Sequence, residues 1–340
     1  MSFNSPTLDA GHLPGYADIV AAAGRLAGRA VLTPLLESPL LNDALGCRLL
    51  VKAEVLQRTG SFKFRGAYNR ISLIPEAERP RGVVAFSSGN HAQGVAAAAR
   101  MLGIGATIVM PSDAPAIKVA NTRGWGAEVV LYDRWTEDRE AIGARISAET
   151  GATLVRPYDD PYVMAGQGTI GLELADQAAA LGAQPDMVLA PCGGGGMISG
   201  IALALAERLP ETAVHSVEPE GFDDTRRSLA DGRRLSNDPG AVSFCDALLA
   251  AQPGELTFAV NAAHLSEGFA VSDTEVCRAM SVARDHLKLV VEPGGAVALA
   301  AVLAGRIPAP GKTIAVVCSG GNVDPIVYER ALAIAHDVPG

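Results

Sequence analysis

The chain has 340 residues, of which 49% are apolar, 5% aromatic and 19% charged; that composition excludes a disordered chain and fills roughly two domains with a sizeable core. Its net charge of −9 argues against a nucleic-acid or anionic-membrane surface, because both need clustered Lys and Arg to meet phosphates. Five scattered cysteines (Cys47, Cys192, Cys245, Cys277 and Cys318) without CxxC spacing indicate neither a disulfide framework nor a structural zinc site, and fit a reducing cytoplasm. The N-terminal stretch from Met1 to Gly15 is polar and carries no export or insertion pattern, and the longest apolar run, Ala296 to Ala304, is far short of a membrane span. From about Val83 onward, short β-branched runs alternate with Ala- and Leu-rich amphipathic stretches. Val83–Phe86, Thr107–Met110, Glu128–Tyr132, Met187–Ala190, Val214–Val217 and Thr313–Val317 read as strands. All but Val214–Val217 are largely continuous apolar runs, as parallel strands covered on both faces must be, so the layout is α/β. Asp231–Gly240 reads as a long surface loop.

Three strand ends lead into turns of ligand-binding composition: Ser87-Ser88-Gly89-Asn90-His91 before a helix near Ala92, Gly193-Gly194-Gly195-Gly196 before the helix Ile198–Leu209, and Ser319-Gly320-Gly321-Asn322. Open α/β sheets bind ligands at such ends, so the three suggest one shared crevice. Four glycines before a helix let the backbone approach an anion closely, with amide N–H groups and the helix dipole aimed at it. This reads as a phosphate cradle, although it is not GxGxxG and no Walker lysine follows. Upstream, Lys63 stands between Phe62 and Phe64 in an otherwise uncharged turn. A desolvated lysine has a lowered pKa and can attack a carbonyl. An amine together with a phosphate cradle is what pyridoxal phosphate requires. Two further candidates are Glu218-Pro219-Glu220-Gly221-Phe222-Asp223-Asp224, an acidic turn of the kind hard divalent cations use, and Cys245, which reads as a buried small hydrophobe. The other histidines show no metal spacing.

These segments, taken with Ser61-Phe62-Lys63-Phe64-Arg65-Gly66-Ala67, Ala165-Gly166-Gln167-Gly168-Thr169, Val291-Glu292-Pro293 and Val323-Asp324, resemble the fold-type II pyridoxal-phosphate enzymes, specifically the serine/threonine dehydratase and serine racemase group. The likeness runs from about Leu32 to Asp324. It implies two open, twisted, mostly parallel sheets with helices on both faces and the cofactor in an interdomain cleft. Residues 1–75 and 160–340 would form a large cofactor-binding domain and 76–159 a small substrate-closing one. It also implies that Lys63 is the Schiff-base lysine and the acid/base at the substrate α-carbon, and that Phe62 packs on the cofactor ring. Asn90 would bond the phenolic oxygen, Gly193, Gly194, Gly195, Gly196 and Met197 would bind the phosphate, and Ser319 would face the pyridine nitrogen. Ser87, Ser88, Gly89, Asn90 and His91 would hold the substrate carboxylate; Ser88 would also be the acid/base opposite the lysine if the enzyme racemises. Glu218, Asp224 and the Phe222 carbonyl match a Mg²⁺ or Ca²⁺ site.

The activity implied is a dehydratase that converts L-threonine, L-serine or a similar β-hydroxy amino acid to a 2-oxo acid and ammonia. The alternatives are a threo-3-hydroxyaspartate dehydratase, for which Arg139 matches an arginine at the active-site mouth, and a serine racemase. The chain departs from the racemase-like members at Cys245-Asp246-Ala247, where many have Ala-Asp-Gly, and at Pro157-Tyr158, which replaces an Asn. No regulatory extension follows Asp324, so feedback control is not expected. A cytoplasmic homodimer handling a small amino acid, with no nucleic-acid or membrane partner, completes the expectation.

Overall fold

The computed structural model describes residues 12–87, 89–114 and 116–337, without the side chains of 336 and 337. Its strands in chain order are β1 (Leu35–Glu37), β2 (Arg48–Ala53), β3 (Val83–Phe86), β4 (Ala106–Pro111), β5 (Glu128–Tyr132), β6 (Thr153–Leu154), β7 (Met187–Pro191), β8 (Ala213–Pro219), β9 (Gly268–Val271) and β10 (Thr313–Cys318). The α-helices are α1 (Tyr16–Leu26), α2 (Pro39–Leu45), α3 (Lys63–Ser72), α4 (Asn90–Leu102), α5 (Ala116–Gly124), α6 (Arg139–Thr150), α7 (Pro161–Ala180), α8 (Gly196–Arg208), α9 (Asp224–Asp231), α10 (Glu255–His264), α11 (Asp273–Val282), α12 (Pro293–Leu303) and α13 (Pro325–Asp337).

Two sheets result. The larger runs β1-β2-β10-β7-β8-β9, with β1 antiparallel and every other pair parallel; the smaller runs β5-β4-β3-β6 and is parallel throughout. All six predicted strands are present to within two residues at each end. β2 carries no such signal because Lys52 interrupts its apolar run, and yet it pairs with β10 along its length. The lysine is tolerated because its ammonium, fully buried, donates to Glu173 Oε2 at 2.6 Å, the Thr33 carbonyl at 2.7 Å and Gln177 Oε1 at 2.9 Å.

The main apolar cluster lies under α11 and α12 on one face of the larger sheet, and a second joins α7 and α8 to the other face. A third joins α3 and α4 to the smaller sheet. Small residues set how closely the helices cross. A Cβ on Gly166 would lie 2.7 Å from the Gly66 Cα, and one on Gly168 would lie 2.8 Å from the Gly200 carbonyl oxygen. The Ala165–Thr169 segment therefore acts as a packing seam that fixes α3 against α7, and Gln167 Oε1 accepts the Gly66 N–H at 3.1 Å. Lys63 opens α3, so the seam fixes the lysine too. Among the described residues no helix is long and apolar enough to cross a membrane.

Candidate active site

β3, β7 and β10 deliver the three Gly-rich turns at their C-terminal ends, and β7 and β10 are adjacent. The turn holding Lys63 is stitched to the turn after β10. Phe62 N–H donates to the Ser319 carbonyl at 3.0 Å, Gly321 N–H to the Gly60 carbonyl at 2.9 Å, and Asn322 Nδ2 to the Thr59 carbonyl at 2.7 Å. Thr59 and Gly60 take left-handed φ of 62° and 70° to make that turn. For Thr this is a strained choice.

Lys63 is the first residue of α3. Its Nζ donates to the Pro157 carbonyl at 2.7 Å and sits 5.1 Å from the centroid of the Phe62 ring. Stripped of water, the amine is lowered to about 8. Two residues on, Arg65 is fully buried. It forks onto Glu54 (Nε to Oε2 and Nη2 to Oε1, both 2.8 Å) and onto Glu173 (Nη1 to Oε1 at 2.6 Å, Nη2 to Oε2 at 2.8 Å). Burial alone would raise the Glu54 carboxyl, but the Arg65 guanidinium beside it holds it below its ordinary value.

At the glycine loop, Gly195 adopts φ 92°, and a Cβ there would lie 2.8 Å from Asn261 Nδ2. The Thr257 hydroxyl donates to the Gly194 carbonyl at 2.6 Å. Asn261 is buried with neither its Oδ1 nor its Nδ2 partnered. A buried amide free to bond, beside a loop that excludes side chains, is placed to meet a polar group entering there. The Tyr158 ring lies against the Cα of Gly194. Met197 is buried on α8 within the second cluster.

In the turn after β3, Ser87 Oγ accepts the Gly89 N–H at 3.1 Å; Ser88 lies outside the described residues. Asn90 opens α4. Its Nδ2 donates to Glu292 Oε1 at 2.5 Å and its Oδ1 accepts from Asn322 Nδ2 at 2.8 Å. Glu292 is buried with Oε2 unpartnered. Burial, aided by Asp246 and opposed by Lys118, pushes its carboxyl up to about 7. His91 contacts the Val155 carbonyl through Nε2 at 2.9 Å and is kept neutral by burial, its pKa lowered to about 3.

The acidic turn after β8 is not a solvated loop. Glu218 and Asp224 are buried. Glu218 Oε1 and Oε2 accept the Thr225 and Arg226 N–H groups at 2.9 and 2.7 Å, and Asp224 Oδ1 accepts from Asn237 Nδ2 at 2.6 Å while Oδ2 has no partner. Among the described residues no group of three or more His, Cys, Asp or Glu side chains is placed to hold a metal ion. Cys245 is buried in the main apolar cluster and burial pushes its thiol well up, which suits a packing residue.

Comparison with known proteins places the chain in a family. Residues 28–320 match the family described as pyridoxal-phosphate dependent enzyme. The chain belongs to that family. This pyridoxal-phosphate enzyme is 41% identical over 328 residues to an L-threo-3-hydroxyaspartate ammonia-lyase of Saccharomyces cerevisiae, covering 96% of this chain and 99% of that one. It is 45% identical over 320 residues to an L-threo-3-hydroxyaspartate ammonia-lyase of a Pseudomonas species, covering 94% and 99%. The crystal structure of a threonine deaminase from the organism abbreviated T.th. superposes with a TM-score of 0.86 at 45% identity, covering 92% of this chain and 99% of that one. The fold is that of the fold-type II enzymes.

The residues present fit pyridoxal phosphate. A desolvated amine, a loop closed to side chains and the orphaned Asn261 amide converge on one crevice. Asn261, Thr257 and Glu292 are the polar residues that motif reading leaves without a role. Glu292 lies within the Val291-Glu292-Pro293 motif, but α10 offers no motif at all.

Proposed function

We propose that this pyridoxal-phosphate enzyme is an ammonia-lyase that converts a small β-hydroxy amino acid to a 2-oxo acid and ammonia. The observation that carries the reading is the desolvated Lys63 amine, fixed by Phe62 and by the Pro157 carbonyl, whose neighbour Tyr158 lies against Gly194 of the glycine loop. Bound pyridoxal phosphate supplies an aldehyde for covalent capture of an amine and a ring that withdraws electrons from the substrate α-carbon. Gly193 to Gly196, with Met197 behind them and the Asn261 amide alongside, would hold the phosphate through backbone N–H groups at the start of α8. Phe62 would pack on the ring, Asn90, its amide fixed by Glu292, would meet the phenolic oxygen, and the neutral Ser319 hydroxyl would face the pyridine nitrogen. Lys63 takes the α-proton; a pKa near 8 leaves a share of the amine neutral at physiological pH. The Ser87–His91 turn, Ser88 included, receives the substrate carboxylate at the N–H groups that begin α4. Loss of the β-hydroxyl and hydrolysis complete the balance to 2-oxo acid and ammonia.

L-Threonine and L-serine are the first substrates. A second reading, L-threo-3-hydroxyaspartate, is favoured by Arg139: its guanidinium lies 5.6 Å over the Phe86 ring, next to the Ser87 turn, where a second carboxylate would find a cation. The two relatives at 41% and 45% identity carry that substrate in their names. Glu218, Asp224 and the Phe222 carbonyl would hold Mg²⁺ or Ca²⁺ with waters completing the shell, which would give Asp224 Oδ2 its missing partner. The division into a small unit at 76–159 and a large unit elsewhere agrees with the smaller sheet's strands lying between residues 83 and 154. A cytoplasmic homodimer remains part of the reading, and sedimentation of the holoenzyme tests the dimer.

A substrate panel tests the function. Serine, threonine and the hydroxyaspartate isomers are incubated with holoenzyme, and 2-oxo acid, ammonia and residual enantiomer are measured. The reading expects stoichiometric oxo acid and ammonia from at least one β-hydroxy amino acid. Oxo acid from none of them, or inversion of serine without oxo acid, would overturn it.

A further inference from the structure

We propose that Lys118 and Asp246 form a clamp across the cleft that positions the carboxylate-binding turn, with Lys118 as the positioning residue; this rests on the reading that the Ser87–His91 turn receives the substrate carboxylate. Lys118 belongs to α5, on the side of the smaller sheet, and is buried. Its Nζ ion-pairs with Asp246 Oδ2. Asp246 follows Cys245 in a segment on the other side, where Ala247 and Leu248 pack on the cofactor cradle. A Cβ on Gly193 would lie 3.4 Å from the Leu248 Cα, and one on Gly294 would lie 3.1 Å from the Ala247 Cβ. One ion pair, 128 positions apart in the chain, therefore joins the substrate side to the cradle.

The lysine also abuts the turn itself. A Cβ on Gly89 would lie 3.7 Å from Lys118 Nζ and 4.0 Å from its Cδ. Residue 89 thus leaves its face open to the ammonium, which lies beside the first N–H groups of α4, adding a full positive charge to the field that draws an anion. The other buried cations near α3, Lys52 and Arg65, are committed to Glu173 and Glu54. His91 is held neutral in the same turn. A buried ammonium needs a counter-charge; Asp246, whose side chain is half exposed, supplies it from across the cleft, and the buried Glu292 carboxyl lies within the same field. Closing the cleft and placing the carboxylate field are then one event.

The test uses holoenzymes of wild type, Lys118→Met, Lys118→Arg, Asp246→Asn and the double Lys118→Met/Asp246→Asn. Binding of L-serine is read from the cofactor's visible spectrum, together with kcat and KM for oxo acid, cofactor affinity and Tm. Lys118→Met is expected to raise both the serine Kd and KM about tenfold, while kcat changes less than about threefold and cofactor affinity holds. Lys118→Arg should restore most of the loss. The double variant should be no worse than Lys118→Met alone, because the two groups act as one unit. Should Lys118→Met fail to fold, Asp246→Asn carries the same expectation. A serine Kd within about twofold of wild type in both single variants, additive losses in the double, or cofactor affinity falling in step with serine affinity would overturn the clamp. Wild type that binds serine spectroscopically yet makes no oxo acid from any β-hydroxy amino acid would refute the lyase reading alone, since the clamp is judged by Kd.

Discussion

Replacing Arg65 with Met probes how the protein holds its lysine. The guanidinium makes four bonds to carboxylate oxygens, two on Glu54 and two on Glu173. Glu173 is partly exposed and keeps Lys52, so it loses little. Glu54 is fully buried and keeps only the Thr33 hydroxyl and the field of Lys52 as support. Breaking a buried ion pair by removing one partner costs about 3–5 kcal/mol, because the remaining charge is desolvated without compensation. At about 2–3 °C per kcal/mol for a chain of this size, Tm should fall by roughly 6–15 °C. Arg65→Lys keeps the charge but cannot fork, and should fall between the two. Thermal unfolding of the three holoenzymes by circular dichroism at pH 7 and a fixed scan rate measures this. An Arg65→Met Tm within about 2 °C of wild type would refute the claim that this network holds the start of α3.

Further outcomes follow from the same geometry. Gly194→Val and Gly195→Val should weaken cofactor binding at least about tenfold and also lower Tm, since a Cβ at 194 meets the Tyr158 ring and Gly195 holds φ 92° beside Asn261; unchanged titrations in both variants would remove the cradle assignment. With Lys63 near 8, its neutral fraction rises about fivefold between pH 7 and 8 and saturates above 9, so cofactor capture by apoenzyme, followed by stopped flow, should show that profile. Capture that keeps accelerating past pH 10 would mark an ordinary solvated lysine. Chelator treatment should lower Tm, and Mg²⁺ or Ca²⁺ should restore it, adding about 2.7 kcal/mol of stability at a hundredfold excess over Kd, with Asp224→Ala abolishing the response; melting indifferent to chelator would return Glu218 and Asp224 to a purely structural role.

What the sequence made legible is what local chemistry writes locally. Three of the smaller sheet's four strands, β3, β4 and β5, announce themselves as apolar runs, while β6, only two residues long, does not; the glycine loop and the Ser87–His91 turn sit directly after strands, where ligand-binding turns belong. The strand β2 stayed hidden because Lys52 reads as a surface charge until Glu173, 121 residues away, is folded against it. Asn261 and Thr257 lie more than sixty residues beyond Gly194 on a helix with no composition cue, so only the tertiary approach reveals them. The Ala165–Thr169 segment was legible as a family motif, while its physical role, a seam that lets α7 touch α3 and α8, depends on contacts no spacing encodes. Arg65 has the same history: visible beside Lys63, but intelligible only with Glu54 and Glu173 around it.

The most direct test of the account is to find where the cofactor attaches. Holoenzyme is reduced with borohydride, digested, and its peptides mapped by mass spectrometry, with Lys63→Ala treated in parallel. The account predicts a single pyridoxyl adduct on the peptide containing Lys63, and neither adduct nor bound-cofactor absorbance in the variant, because no neighbouring amine replaces it. An adduct on any other lysine of the wild type, or a reducible cofactor bond surviving in Lys63→Ala, would contradict it.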